Sequence, residues 1–287
     1  MSDLQQSDLD IAYKCLSTAT EDFKSLELEC DQIWNLGDTI QGTDLETIEK
    51  MVDMQIELLQ PFDIPLKFTC GNHEFDPCLA KFNNKTFGGK EKIKVFSYEK
   101  FSEVPNWKTS DSISDFYFTD KLGEITLFFF PDHAHPNGEW ATAGGVVHGE
   151  SRAYPHSESA YLAVNKAISE IKGPVITAGH ASFDGGLRPS DLMNQMLPLP
   201  SNVIAHFHGH SHIGDKAWGG PSCFRKLSTV AHQDIPQFDI AALENNRGDA
   251  IRSAILEIYE DLSIGVLFRE HDHKKWSDAY YIANKSL

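Results

Sequence analysis

The segment NVIAHFHGHSH, residues 202–212, is an apolar run that leads directly into a glycine followed by His-Ser-His. An apolar run of this length, bounded by turn residues, is typical of a buried strand. Gly209 then allows the backbone to turn sharply, so that His210 and His212 are presented where the strand ends. The segment therefore predicts a buried strand that delivers polar side chains to one edge of a sheet.

The same arrangement recurs earlier in the chain, where apolar runs end in Gly37-Asp38, Gly71-Asn72-His73-Glu74 and Gly179-His180. In an open α/β sheet the carboxyl ends of the strands form the ligand crevice. We therefore expect an aspartate, an asparagine and several histidines from four separate strands to converge on one edge.

Helix-like and strand-like stretches alternate over about the first two-thirds of the chain. Apolar residues at helical spacing predict helices at about 9–26, 45–59, 159–171 and 190–196. Between them lie the strand-like runs QIWNL, PLKFT, DFYFT, ITLFFF and PVITAG. This alternation is typical of a largely parallel sheet.

After Ser222 the pattern changes to strand-like runs separated only by turn residues: FRKLSTV, QFDIAAL, SAILEIYE and SIGVLFRE. Such a pattern favours antiparallel strands, here 222–270, that complete a second sheet. The predicted fold class is α/β, arranged as an α+β sandwich of two packed mixed β-sheets flanked by helices. Because no repeat or linker divides the sequence, we interpret 1–287 as a single domain, with its polar motifs between residues 3 and 212.

Composition excludes several classes of protein. The chain has 287 residues, of which 41% are hydrophobic, so it is long and apolar enough to bury a sizeable core. Its 25 basic residues against 42 acidic ones give a net charge of −17, which disfavours general binding to nucleic acid. A small phosphorylated substrate stays compatible with this charge, because bound metal cations invert the local field.

No segment of the sequence indicates export or a membrane. The first residues are acidic and lack an apolar stretch, and the most apolar run, ITLFFF, is too short to cross a bilayer. The five cysteines form no CxxC pair, which favours reduced thiols over a disulfide framework. We therefore expect a cytoplasmic protein that has no membrane partner; the sequence leaves its oligomeric state open.

The polar residues at the strand ends are ligands of a recognisable kind. Carboxylate, amide oxygen and imidazole together suit Mn, Fe, Zn or Co, and no thiolate is present to demand a softer ion. Two divalent ions need a shared ligand, and Asp38 is the natural bridging carboxylate. Taken singly, each of these residues is as compatible with a turn or a helix cap as with a metal site.

Taken in order, the series GD, GNHE, GH and GHSH resembles the calcineurin-like metallophosphoesterase superfamily. The resemblance covers the chain from about Asp3 to His212. It implies that Asp38 bridges two ions, that His212 binds one of them, and that the other is bound by Asn72, His180 and His210. It also implies that His73 is not a ligand but stabilises the pentavalent phosphorus and protonates the leaving oxygen. In this family two ions clamp a phosphate and activate a bridging hydroxide that attacks phosphorus in line.

The N-terminal motif departs from the family pattern. Where Asp-x-His is usual, this chain has Asp3-Leu4-Gln5. An amide oxygen is a harder and weaker donor than imidazole, so Mn²⁺ is favoured over Fe, Zn or Co. Asp-x-Gln is similar to a subgroup that cleaves ADP-ribose-like and CDP-alcohol-like diphosphates. Because so few residues precede Asp3, we expect a truncated or missing first strand, with Asp3 and Gln5 loosely placed.

For the other polar residues, the surrounding sequence is less decisive about their roles. His133 and His135 follow the run ITLFFF, and His135 is a candidate substrate contact, as is Arg152 in a long stretch without periodicity that resembles a lid. His206 and His208 lie within a predicted strand, which favours structural roles. His271-Asp272-His273 follows the last predicted strand, and we interpret it as a surface segment without function.

These observations favour a dinuclear-metal-dependent phosphoric ester hydrolase that acts on a small phosphodiester or nucleotide diphosphate. A phosphomonoesterase or protein phosphatase of the same superfamily is the alternative among enzymes, and the net charge disfavours a nuclease. A scaffold protein with weakened catalysis is the alternative outside enzymes. Gln5 favours the scaffold, whereas His73 argues against it, because a scaffold has no need of a catalytic residue that binds no metal.

Overall fold

The computed structural model describes residues 1–6, 8–40, 45–69, 71, 73, 100–109, 117–130, 158–180, 182–183, 198–210, 212, 227–230, 233–246 and 250–283. The helices are α1 (Leu9–Ser25), α2 (Leu45–Leu59), a 3₁₀ turn (Gln60–Phe62) and α3 (Glu158–Ser169). The strands are β1 (Ile33–Asn35), β2 (Leu66–Phe68), β3 (Trp107–Lys108), β4 (Phe118–Leu122), β5 (Ile125–Phe129), β6 (Val175–Ala178), β7 (Val203–His208), β8 (Leu227–Thr229), β9 (Pro236–Asp239), β10 (Arg252–Ile258), β11 (Ile264–Glu270) and β12 (Lys275–Ile282). The predicted helix at 190–196 lies outside the described residues.

The strands of the described part form three hydrogen-bonded sheets. Strands β1, β2 and β3 form a parallel sheet, and a six-stranded mixed sheet has the order β4-β5-β6-β7-β9-β8. Its central strands β5, β6, β7 and β9 run parallel, while β4 and β8 are antiparallel edges. Strands β10, β11 and β12 form an antiparallel C-terminal sheet. The predicted α/β class, with packed sheets and flanking helices, is confirmed.

The predicted grouping of the C-terminal strands was partly wrong. Strands β8 and β9 belong to the six-stranded sheet rather than to the antiparallel C-terminal one, because β9 pairs in parallel with β7. Strand β9 is largely buried, as strands inside a mixed sheet usually are. The C-terminal sheet also extends beyond residue 270, because β12 adds a half-exposed edge strand.

Two hydrophobic cores lie on opposite faces of the six-stranded sheet. Along β5, Leu127 and Phe129 belong to the core shared with the C-terminal sheet, while Phe128 and Phe130 belong to the core shared with the helices. This division follows from the two-residue repeat of a strand, which sends successive side chains to opposite faces. The apolar run ITLFFF is therefore buried on both sides.

The N-terminal segment is held in place by its backbone. Residues 1–5 run beside the segment that follows β1: Asp3 N–H donates to Gly37 O and Gln5 N–H to Asp38 O, both at 3.0 Å. On the other side, Leu243 N–H donates to Ser2 O at 3.0 Å. Asp3 is 0% and Gln5 2% exposed, so the expectation that they are loosely placed was wrong.

His271 was wrongly interpreted as a surface residue. It is 2% exposed, and its Nδ1 lies 2.9 Å from Asp22 Oδ2 on α1. Arg269 forks onto the same carboxylate, with Nε and Nη2 each 2.8 Å from an oxygen. These hydrogen bonds to Asp22, from Arg269 above all, lower its pKa, although burial opposes the shift. The cluster ties α1 to β11.

No helix in the described ranges is both long and apolar enough to cross a lipid bilayer.

The buried His271 gives a testable dependence of stability on pH. Burial lowers the pKa of His271 below its ordinary value of 6.5, despite the opposing hydrogen bond to Asp22. Below about pH 6.5 the unfolded chain therefore binds a proton that the folded ring resists, and the free energy of unfolding falls as pH falls. We expect His271→Gln to lose less stability than the wild type between pH 7 and about 5.5 in urea unfolding. His273→Gln is the control, because His273 is half-exposed; equal slopes for the wild type and His271→Gln would contradict the expectation.

Candidate metal centre

Two groups of potential metal ligands meet at the carboxyl ends of the strands. One comprises Asp38, His180 and His210, the other Asp3, Asp38 and His212, and within each group the ligand atoms lie within 4.8 Å of one another. Asp38 follows β1, His180 follows β6, and both His210 and His212 follow β7. The structure thus brings together six residues singled out in the sequence, Gln5 included, while Asn72 lies outside the described residues.

Asp38 lies at the junction of the two groups. Its Oδ2 is 3.0 Å from His180 Nε2 and 3.9 Å from His73 Nε2, and its Oδ1 accepts the His73 backbone N–H at 2.7 Å. Burial alone would raise the pKa of Asp38, but the neighbouring His180, His73 and His210 lower it well below its usual range. Asp38 is therefore a buried carboxylate whose ionised form depends on positive charge beside it.

The second ring nitrogen of His180 fixes its orientation. Nδ1 lies 2.7 Å from Leu36 O, and because a carbonyl only accepts, Nδ1 carries the proton in the neutral ring. Nε2 then directs its lone pair at Asp38 Oδ2. An imidazole lone pair and a carboxylate oxygen 3.0 Å apart repel each other unless a proton or metal cation lies between them.

His212 repeats this arrangement with a different partner. Its Nδ1 lies 2.5 Å from Glu244 Oε1, so that its Nε2 lone pair faces Asp3 Oδ1 at 3.2 Å. Glu244 is fully buried, and its other oxygen accepts a hydrogen bond from Gln6 Nε2 at 2.8 Å. A carboxylate that orients a histidine through its second nitrogen is the usual support of a metal ligand.

The Gln5 side chain fits the same site. Its Nε2 lies 3.0 Å from His212 Nε2, and its buried Oε1 has no hydrogen-bond partner among the residues that the structure describes. A buried amide oxygen without a partner is costly in a protein interior, and it is a good ligand for a hard divalent ion. The donor set of the site therefore fits two divalent cations.

Four of the candidate ligands have a left-handed backbone conformation. Asp3, Asp38, His210 and His212 have φ of 57°, 53°, 71° and 49°. This left-handed conformation costs a non-glycine residue about 1–3 kcal/mol and is typical of functional sites. The fold thus stabilises a backbone arrangement that no single residue prefers.

Glycines next to the ligands leave space for the carboxylates. A Cβ on Gly71 would overlap Asp38 Oδ1, and one on Gly209 would overlap Asp3 Oδ2. Asp3 also accepts the His210 backbone N–H at 2.9 Å, so the turn after β7 holds its carboxylate directly. The glycines of the GNHE and GHSH motifs are explained by this close approach.

Sequence reasoning missed Glu244 and Gln6. Both are buried, and Asn246 Nδ2 donates to Gln6 Oε1 at 3.2 Å, which extends the network. One signal was present in the sequence: Glu244 directly ends the strand-like run QFDIAAL, as the recognised ligands end theirs. It was overlooked because no glycine precedes it.

The other predicted site residues have varied positions. His206 is buried, with its Nδ1 3.0 Å from Thr177 Oγ1 and its ring against Phe183, in agreement with a structural role. Burial lowers the pKa of His208 to about 4, although its hydrogen bond to Gly209 O opposes the shift. Arg152, His133 and His135 lie outside the described residues.

Comparison with known proteins places this arrangement in a family. The sequence model of the calcineurin-like phosphoesterases matches residues 1–214. No curated protein sequence matches the chain.

Solved structures with a similar fold include two phosphatases that align with nearly the whole chain. A dimetal phosphatase from Danio rerio is 13% identical, with a TM-score of 0.65 over 99% of this chain and 97% of the other. A purple acid phosphatase from yellow lupin (Lupinus luteus) seeds is 12% identical, with a TM-score of 0.55 over 98% of this chain and 52% of the other. At this level of identity, the likeness establishes a shared fold.

The contact between Glu244 and His212 predicts how metal affinity depends on a residue that is not itself a ligand. Glu244→Gln keeps the size of the side chain but removes its charge, so we expect the Kd for Mn²⁺ to rise about 10- to 100-fold. Isothermal titration calorimetry on the metal-free protein measures this change. The matched control is Glu260→Gln on an exposed turn, and an unaltered Kd in a folded Glu244→Gln would contradict the assigned role.

Proposed function

The chain belongs to the calcineurin-like phosphoesterase family, and from this premise we propose that it is a dinuclear-metal-dependent phosphoric ester hydrolase. The observation that carries the proposal is the position of Asp38, which is shared by two ligand groups. A single carboxylate common to two such groups is the arrangement that a two-metal site needs.

The proposed ligands divide between the ions as the two groups do. One ion would be held by Asp38, Asn72, His180 and His210, and the other by Asp3, Gln5, Asp38 and His212. The amide oxygens of Asn72 and Gln5 favour Mn²⁺ over Fe, Zn or Co. When bound, two such ions neutralise the charge of a phosphate and lower the pKa of a water molecule, which supplies the nucleophile.

His73 is the proposed proton donor. Its side chain is 19% exposed, whereas the proposed ligands Asp38 and His180 are fully buried, so His73 is accessible to a substrate that enters from solvent. The hydrogen bond from its backbone to Asp38 Oδ1 fixes it beside the site. From there Nε2–H donates to a phosphate oxygen and transfers its proton to the leaving oxygen.

The substrate we propose is a small phosphodiester or nucleotide diphosphate. The net charge of −17 weighs against a long polyanion. Arg152 and His135 stay predicted substrate contacts, and a cytoplasmic location stays a prediction. A phosphomonoesterase or protein phosphatase is the alternative, and the choice between them is a matter of substrate assays.

Paired chromogenic substrates test the proposed reaction. With Mn²⁺ added, we expect faster hydrolysis of bis-p-nitrophenyl phosphate than of p-nitrophenyl phosphate, and none of either after chelation. Asp38→Asn should abolish this turnover, because the bridging charge is lost. Asp234→Asn is the matched control, since Asp234 is exposed and has a similar φ of 52°. Full activity in Asp38→Asn with its metal content intact would refute the proposal, and a preference for the monoester would favour the phosphatase alternative.

A second experiment tests whether His73 acts as a proton donor or as a metal ligand. His73→Gln should lower kcat about 10²- to 10⁴-fold, because proton donation to the leaving oxygen is lost. Its Mn²⁺ content, measured by plasma mass spectrometry, should equal that of the wild type. A variant that loses metal would make His73 a ligand, and one that keeps its kcat would remove it from the mechanism. His273→Gln serves as the control.

A further inference from the structure

A second cluster of reactive side chains lies far from the proposed metal ligands in the sequence. Ser253 Oγ on β10 is 2.8 Å from His271 Nε2, and His271 Nδ1 is 2.9 Å from Asp22 Oδ2 on α1. A hydroxyl on one ring nitrogen and a carboxylate on the other is the arrangement that activates a serine nucleophile. None of these residues belongs to the ligand groups around Asp38.

The hydrogen-bond partners fix the direction of proton transfer. Asp22 is an acceptor when ionised, so the neutral His271 ring carries its proton on Nδ1 and offers the Nε2 lone pair to Ser253. Arg269 forks onto both oxygens of Asp22 and holds the carboxylate in this orientation. Burial lowers the pKa of His271, which keeps its ring neutral and able to accept a proton near pH 7.

Ser253 and His271 both line a cavity of about 910 Å³. Its walls are largely apolar and include Leu16 of α1, Trp34 of β1 and Leu256 of β10. Ile33 and Ile125, which begin β1 and β5, also line it, whereas the candidate metal ligands follow the ends of their strands. Leu36 and Ile240, which directly follow β1 and β9, line it too, but none of the candidate metal ligands does. The size of the cavity is typical of a site for a small ligand.

We propose that Ser253, His271 and Asp22 form a second, metal-independent hydrolytic site that accepts esters with an apolar acyl chain. Apolar walls favour binding of the chain, and Ser253, which is half-buried, is positioned to meet the ester carbonyl. The proposal does not depend on the phosphoesterase activity of the other site.

The reaction has two balanced halves. Ser253 Oγ transfers its proton to His271 Nε2 and attacks the ester carbonyl carbon, and the electrons of the carbonyl π bond move to oxygen. When that oxyanion collapses, the bond to the alkoxy oxygen breaks, and the alcohol leaves with the proton from Nε2. Water then gives a proton to Nε2 and attacks the acyl carbon. The bond between that carbon and Ser253 Oγ breaks, the carboxylic acid leaves, and Nε2 returns the proton to Oγ.

Arg269 has a supporting position. It is the register partner of Ser253 across β10 and β11, and residues directly opposite in an antiparallel pair share a face of the sheet. The guanidinium also pairs with Asp22, which keeps that carboxylate ionised.

A covalent probe tests the proposal on the full-length protein. The wild type is treated with a fluorophosphonate after chelation of metals with EDTA, and the modified peptide is identified by mass spectrometry. We expect a single adduct on Ser253, absent from Ser253→Ala and reduced in His271→Gln. An unlabelled wild type, or equal labelling of Ser253→Ala, would overturn the proposal whether or not any variant folds.

Turnover of p-nitrophenyl butyrate provides the second readout. In EDTA, and again in the Asp38→Asn background, we expect the hydrolysis rate with Ser253→Ala to equal the uncatalysed rate in buffer. The hydrolysis rate of His271→Gln should be lower than that of the wild type by about 100-fold or more. Ser277→Ala, on β12 of the same sheet, is the matched control and should retain the full rate. If the cluster serves only to tie α1 to the sheet, Ser253→Ala lowers the melting temperature while the wild type shows neither adduct nor turnover.

Discussion

The candidate metal centre depends on an electrostatic constraint: imidazole lone pairs face carboxylate oxygens in a buried space. His180 Nε2 lies 3.0 Å from Asp38 Oδ2, and His212 Nε2 lies 3.2 Å from Asp3 Oδ1. The outer nitrogens of the two rings are committed to Leu36 O and Glu244 Oε1, so neither ring turns away without breaking a buried hydrogen bond. Divalent cations resolve both repulsions at once, which explains why so much of the surrounding structure serves to hold these groups in place.

The rest of the fold supports that arrangement from several directions. The backbone of residues 1–5 bonds to the segment after β1 and to Leu243, and in this way it carries Asp3 and Gln5 to the strand ends. Positive φ at Asp3, Asp38, His210 and His212 stores strain in the turns that present them. Two hydrophobic cores, one on each face of the six-stranded sheet, supply the stability that compensates for this strain.

The two proposed sites are built from different residues. Metal ligands follow the carboxyl ends of β1, β6 and β7, whereas the apolar cavity is lined along β1 and β10 and includes none of these ligands. The cavity lies where α1 meets the C-terminal sheet, and Asp22 joins the two through Arg269 and His271. Because the two sites share no side chain, each is open to a test that leaves the other intact.

Local pattern in the sequence was sufficient for the strand–helix alternation and for the position of the candidate ligands at the strand ends, because a glycine after an apolar run is a local signal. It was insufficient for Glu244 and for the Asp22–His271 pair, whose members stand far apart in the chain. Nor did it show that β9 pairs with β7, or that Asp3 and Gln5 are buried. Those features depend on which segments become neighbours in space. The neighbours are decided when the whole chain packs into two cores and satisfies its buried polar groups, and no short stretch of residues contains that information.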